Sequence, residues 1–116
     1  MTNKNKNSKI FLGNAFSLKM LPQGAFAIHS RPVEVDEVRQ VLQTCDFVSA
    51  VGHADTANVL SHELGAVVLP NRISVSLEEG DVLYVAQLEG PRLPEGATQL
   101  PEGASFAFFK ITIERE

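Results

Sequence analysis

His53 is the side chain of this sequence with the clearest chemical potential. It directly follows Gly52, after an apolar run over 47–51, and it precedes a segment with apolar residues at helical spacing. An imidazole at a strand-to-helix junction lies beside free backbone N–H groups and titrates near neutral pH, which suits proton transfer at an anion such as a phosphate. The same pattern is typical of a histidine that only caps or packs.

Three further polar side chains stand in predicted loops. Arg92 lies in a stretch rich in Gly and Pro over 89–104, where a guanidinium either clamps a phosphate with two hydrogen bonds or remains a solvated charge. Asn14 and Ser17 follow a short apolar strand and either bind a ligand or cap the next turn. An acidic turn over Glu78, Glu79 and Asp81 lacks the ligand spacing of a cation site and is typical of a solvated hairpin tip. We expect no bound metal and no cofactor.

The elements that must position these residues alternate between strands and helices. Apolar runs predict strands over 9–13, 25–29, 47–51, 82–88 and 106–113, and strict alternation predicts one more over 72–77. Ser30, followed by Pro32 and several acids, predicts a helix that ends near Cys45, and a second helix follows His53 and stops at Gly65. A short turn around Gly80 predicts an antiparallel hairpin that places strand 82–88 centrally.

These elements predict an α/β fold in one domain. We expect a mixed, partly antiparallel sheet of about five strands with about two helices packed on it. The 116 residues leave little room for a second domain, so we place a polar tail over 1–8 and the domain over 9–116. Because a chain this short buries a small fraction of its surface, a dimer is a natural way to add stability.

Composition excludes several classes of protein. A net charge of −4 and a pI near 5.3 argue against DNA binding, which depends on many basic side chains. The single cysteine, Cys45, excludes an intramolecular disulfide, and neither a secretory signal nor a membrane-spanning stretch is visible. We therefore expect a cytoplasmic protein without membrane contact.

Five short motifs occur in a fixed order along the chain: Asn14-Ala15-Phe16-Ser17, Gly52-His53 with Thr56, Asn71-Arg72, Gln87, and Arg92-Leu93-Pro94-Glu95-Gly96. With this ordered set the sequence resembles the small viral anti-CRISPR ring nucleases and their bacterial relatives in type III CRISPR systems, which degrade cyclic tetra-adenylate. The resemblance runs from Lys9 to Ile113. It departs from the family pattern in an extra residue at Pro91 and in a run after His53 that is poorer in hydroxyl groups.

The resemblance implies a symmetric homodimer that binds cyclic tetra-adenylate across its interface. It also implies cleavage without metal into linear di-adenylates that carry 2′,3′-cyclic phosphate ends. By motif, His53 would be the general acid, and Arg92 and Glu95 match the catalytic loop Arg and Glu. The positions that contact the ligand are matched by Asn14, Ser17, Thr56, Arg72 and Gln87.

Two other functions stay open on the residues alone. The same pocket could bind a cyclic oligonucleotide or another nucleotide without cleaving it. A structural or regulatory partner protein, such as a transcription factor, is disfavoured because no predicted helix has a basic face.

Overall fold

The chain folds as a sheet with two helices on one of its faces. The computed structural model describes residues 8–116, so the tail predicted over 1–8 lies outside the described residues except for Ser8. The regular elements, in chain order, are β1 (Ile10–Gly13), a 3₁₀ turn (Leu18–Met20), β2 (Phe26–Val33), α1 (Val35–Thr44), β3 (Val48–Ser49), α2 (Ala54–Leu64), β4 (Val82–Glu89) and β5 (Ser105–Arg115).

The five strands form one mixed sheet in the order β2-β5-β4-β1-β3. β1 pairs in parallel with β3 on one side and with β4 on the other, whereas β5 runs antiparallel to both β2 and β4. The central position predicted for strand 82–88 is confirmed, and so is the α/β class. One consequence matters most for the site: the carboxyl ends of β3, β1 and β4 lie next to each other at one edge.

Both helices cover the same face of the sheet. Their buried side chains, among them Val38 of α1 and Leu60 of α2, pack against Leu12 and Phe108 of the strands. Burying one such aliphatic side chain contributes about 1.5–3 kcal/mol. The predicted end of the second helix is confirmed, since Gly65 adopts a left-handed φ of 62° and caps α2.

The start of α1 differs from the prediction. Ser30 and Pro32 lie in β2, and Glu34 is the residue before the first helical turn. The reason is that β5 is 11 residues long and offers backbone partners to β2 as far as Val33, which pairs with Phe108. Pro32 is compatible with this strand because β2 is at the edge of the sheet, where a missing N–H costs little.

The strand predicted over 72–77 is wrong. The segment has no regular ladder within the described chain, because β1 and β5 already occupy both sides of β4. Its alternation has another cause: Val75 and Leu77 are buried against the face opposite the helices, beside Phe11 and Ile111. The antiparallel hairpin is instead formed by β4 and β5, with residues 90–104 between them.

The acidic turn before β4 is also not the solvated tip that its composition suggests. Asp81 is only 6% exposed, and its carboxylate accepts hydrogen bonds from the backbone N–H groups of Lys9 (2.9 Å) and Glu78 (3.0 Å). Asp81 therefore joins the start of β1 to the turn that leads into β4. No helix within residues 8–116 is long and apolar enough to cross a bilayer.

Candidate functional site

The candidate site lies where β1, β3 and β4 end. Leu12 is in register with Ser49 of β3, and Gly13 is in register with Val85 of β4. A Cβ placed on Gly13 would lie 3.8 Å from that of Ala50, so the segments leaving β1 and β3 run side by side. In open α/β sheets ligands bind beyond the carboxyl ends of parallel strands, and this edge gathers most of the predicted site residues.

His53 is the N-cap of α2. Its backbone is extended (φ −113°, ψ 131°), and its Nδ1 accepts a hydrogen bond from the Asp55 backbone N–H at 3.2 Å. Because an N–H group can only donate, the neutral ring carries its proton on Nε2 in this orientation. The side chain is exposed, and Nε2 makes no hydrogen bond with any residue of the described range. His53 thus combines a capping role with a free N–H group.

A cation lies directly beside this histidine. Arg72 donates from Nε to the carbonyl of Gly52 at 3.2 Å, and its Cγ would lie 3.1 Å from a Cβ at that glycine. Asn71 holds the segment in place, since its side-chain amide donates to the Ser49 carbonyl and its backbone N–H to the Val51 carbonyl, both at 2.7 Å. The terminal nitrogens of Arg72 have no partner within residues 8–116. They are free to bind an anion next to His53.

The loop that carries Arg92 and Glu95 also reaches this place. The Asp55 carboxylate accepts a hydrogen bond from the Gly96 backbone N–H at 3.2 Å, which ties the loop to the first turn of α2. A turn bond from the Ala97 N–H to the Pro94 carbonyl (3.1 Å) shapes the same stretch. Arg92 and Glu95 are exposed and form no ion pair with any described residue. Both side chains are therefore available to a ligand.

A groove of about 460 Å³ opens on the face of the sheet opposite the helices. Asn14 and Gln87 supply amide groups to it, and Phe16 and Phe109 supply aromatic rings. An apolar wall with a few amide donors and acceptors suits a nucleobase, whose faces stack and whose edges form hydrogen bonds. The groove lining does not include His53 or Arg92, so the predicted residues form two groups, one in the groove and one at α2.

Of the two remaining predicted ligand contacts, Ser17 and Thr56, the first has a local role. The hydroxyl of Ser17 accepts a hydrogen bond from the Lys19 backbone N–H at 3.2 Å and caps the 3₁₀ turn. Thr56 lies in the first turn of α2 and is half-buried. Asp55 and the groove residue Phe109 stand out in no sequence pattern, and Asn71 is marked only as the neighbour of Arg72 in the ordered motifs. Their roles depend on contacts between distant segments, and the adjacency of Asn71 to Arg72 was the only local signal.

No group of three or more His, Cys, Asp or Glu side chains within residues 8–116 could hold a metal ion. The groups at this edge of the sheet that could act chemically include the imidazole of His53, the guanidinium groups of Arg72 and Arg92, the carboxylate of Glu95 and the backbone N–H groups at the start of α2.

These features define a small α/β domain with a polar site at the carboxyl ends of its parallel strands. The chain belongs to the family described as STIV B116-like, which it matches over residues 10–104. In fold it is similar to B116 of Sulfolobus turreted icosahedral virus, with a TM-score of 0.74 at 24% identity, covering 90% of this chain and 99% of that chain.

Relatives in sequence also come from viruses. The chain is 32% identical over 87 residues to uncharacterized protein 26 of Sulfolobus islandicus filamentous virus, which spans 75% of this chain and 73% of the relative. It is 39% identical over 66 residues to uncharacterized protein ORF117 of Acidianus two-tailed virus, spanning 55% of this chain and 56% of that protein.

Proposed function

We propose that this protein is a metal-independent ring nuclease that binds cyclic tetra-adenylate across a homodimer interface and cleaves it to linear di-adenylates. The observation that carries the proposal is the convergence of three features at the N-terminus of α2: His53, the cation Arg72 and the loop of Arg92 and Glu95. Removal of this ring-shaped messenger would switch off type III CRISPR signalling. The viral source of the relatives fits that role.

The reaction needs no external nucleophile. The 2′-hydroxyl of one nucleotide attacks the phosphorus of its own 3′-phosphodiester, and the bond from phosphorus to the departing 5′-oxygen breaks. The proton of the 2′-hydroxyl passes to solvent, and the 5′-oxygen receives a proton from the general acid. The products are a 2′,3′-cyclic phosphate and a free 5′-hydroxyl, and no water is consumed. The protein must hold the three reacting atoms in line and stabilise the phosphate charge.

His53 is the proton donor in this proposal. The charged imidazolium carries a second proton on Nδ1, where the Asp55 N–H already points in the capped orientation. The charged ring therefore leaves the cap when it acts as the acid, and its exposure leaves room for that rotation. Arg72 and Arg92 would neutralise the phosphate, which explains how a chain with a net charge of −4 binds a compact anion.

The groove of Asn14 and Gln87 would hold an adenine. The aromatic rings of Phe16 and Phe109 offer stacking surfaces, and the two amides match the donor and acceptor atoms on the edge of adenine. A twofold protein on a ring of compatible symmetry presents His53 to two opposite phosphates. Two cuts then give two di-adenylates from each ring.

The alternative is a module that binds a cyclic oligonucleotide without cleaving it. The hydrogen bond at Nδ1 favours this alternative, because it gives His53 a purely structural use.

The test is incubation of stoichiometric protein with cyclic tetra-adenylate at neutral pH in EDTA, followed by chromatography of the nucleotides. We expect di-adenylates. A ring that stays bound but intact supports the binding module, and a ring that does not bind contradicts both functions.

A further inference from the structure

Asp55 joins two parts of the residue group at α2, namely His53 and the loop that carries Arg92 and Glu95. Its backbone N–H donates to Nδ1 of His53 at 3.2 Å, and its carboxylate accepts from the Gly96 N–H at 3.2 Å. These partners belong to segments that are distant in sequence, since 41 positions separate Asp55 from Gly96. One residue of α2 thus contacts both the proposed acid and the loop that carries Arg92 and Glu95.

The tip of this loop, over Arg92 to Gly96, lies mostly at the surface. Arg92, Glu95 and Gly96 are exposed, and a Cβ at Gly96 would meet nothing within 4 Å. Ala97, at 9% exposure, is the buried residue next to this stretch. The hydrogen bond to Asp55 joins the tip to α2.

A carboxylate is an unexpected group beside a site for an anion. Its charge repels a phosphate, and that repulsion is offset in part by the first turn of α2, where the helix dipole favours a negative charge. The presence of a carboxylate is explained if the site uses its acceptor oxygen rather than its charge.

We propose that Asp55 is a positioning residue that holds the Arg92 to Gly96 loop against the N-terminus of α2, next to His53. This inference rests on the proposed function for its catalytic consequence but not for the anchoring itself. The side chain need not touch the substrate. It acts by fixing where Arg92 and Glu95 stand relative to the imidazole.

The first experiment needs no substrate. Exchange of the Gly96 amide proton is followed by NMR in the full chain, in wild type and in D55A, D55N and D46A. Asp46 is an exposed acid without a described partner and is the matched control for loss of charge. We expect roughly 10-fold faster exchange in D55A, the scale of one lost hydrogen bond, and no change in D46A. D55N keeps an acceptor oxygen and should retain most of the protection. Unchanged exchange in D55A overturns the anchor.

The second experiment measures single-turnover cleavage of cyclic tetra-adenylate by the same variants. We expect D55A to be roughly 10-fold slower with a dissociation constant within about 3-fold of wild type, because Arg72 and the groove residues still hold the ring when the loop is displaced. D55N should match wild type or exceed it, since it removes the repulsion and keeps the acceptor. A D55N rate as low as that of D55A would refute positioning through a hydrogen bond. If wild type does not cleave while D55A still exposes the Gly96 amide, the proposed function fails and the anchor stands.

Discussion

The two uses of His53, capping and proton donation, can be separated by two substitutions. Asparagine is among the best N-cap residues and accepts the same hydrogen bond from Asp55, but it cannot act as an acid at neutral pH. Alanine does neither. We therefore expect H53N to lose catalysis only, whereas H53A loses catalysis and helix stability together.

The size of each effect follows from the contact that is lost. Removing an N-cap side chain costs about 1 kcal/mol of unfolding free energy, and the exposure of this cap places it no higher than that average. For a domain of this size the loss corresponds to a fall of about 3–6 °C in Tm. Loss of a general acid lowers the rate roughly 10²-fold or more, so both variants should be slow. Binding of the ring should be retained in both.

The assay combines thermal unfolding with single-turnover cleavage of cyclic tetra-adenylate. His62, in the last turn of the same helix, is exposed, and H62N is the matched control for both measurements. We expect H53N to melt with wild type, H53A to melt below it, and H62N to cleave like wild type. A cleavage rate near that of wild type in H53N would refute the acid role, and equal Tm values for H53A and H53N would refute the cap.

Three further predictions concern the frame around the site. D81A removes the carboxylate that accepts hydrogen bonds from two partly buried backbone N–H groups. We expect the unfolding free energy, measured by urea titration, to fall by about 2–4 kcal/mol in D81A and to change little in the control D46A. G90A places a Cβ against the Gly103 carbonyl at φ +94° and should cost at least about 2 kcal/mol, whereas G96A, with open space around it, should cost only about 1 kcal/mol for its positive φ. If G90A loses no more unfolding free energy than G96A, the backbone around Gly90 and Gly103 can move to accept a side chain, and the predicted clash is wrong. Burial, with a smaller contribution from Glu37, raises the pKa of Tyr84 above 10.0. The contribution of the neutral phenol to the unfolding free energy is therefore fully present below pH 10.0 and is lost as pH rises through the folded-state pKa. Unfolding free energy from pH ~8 to ~11 should fall more steeply in wild type than in Y84F.

Sequence patterns correctly predicted the elements that depend mainly on interactions between residues close in sequence. The buried run before Asn14, the helix after His53 and its stop at Gly65 each depend on neighbours in sequence, and each is present. The predictions that were wrong concern segments whose structure is decided by which strands pair with each other. Ser30 is a good cap in isolation, but the length of β5 draws it into β2. The alternation over 72–77 is real, but both sides of β4, the strand predicted to pair with it, are occupied by β1 and β5.

The candidate site divides in the same way. The chemistry of His53 and the placement of Asn14 after a strand follow from residue type and position, and the structure puts both at the carboxyl edge of the sheet. The contact of Asp55 with Gly96 and that of Arg72 with Gly52 join residues far apart in sequence. Sequence periodicity does not reveal such contacts, because the order of the strands in the sheet decides which distant segments meet.

The most direct test of the account is cleavage of cyclic tetra-adenylate in ¹⁸O-labelled water and EDTA, with mass spectrometry of the first products. Attack by the 2′-hydroxyl predicts two linear di-adenylates per ring, each with a 2′,3′-cyclic phosphate and no ¹⁸O. An intact ring would contradict the proposed activity. Cleavage products that carry ¹⁸O from the earliest time point would show that water is the nucleophile and would contradict attack by the 2′-hydroxyl.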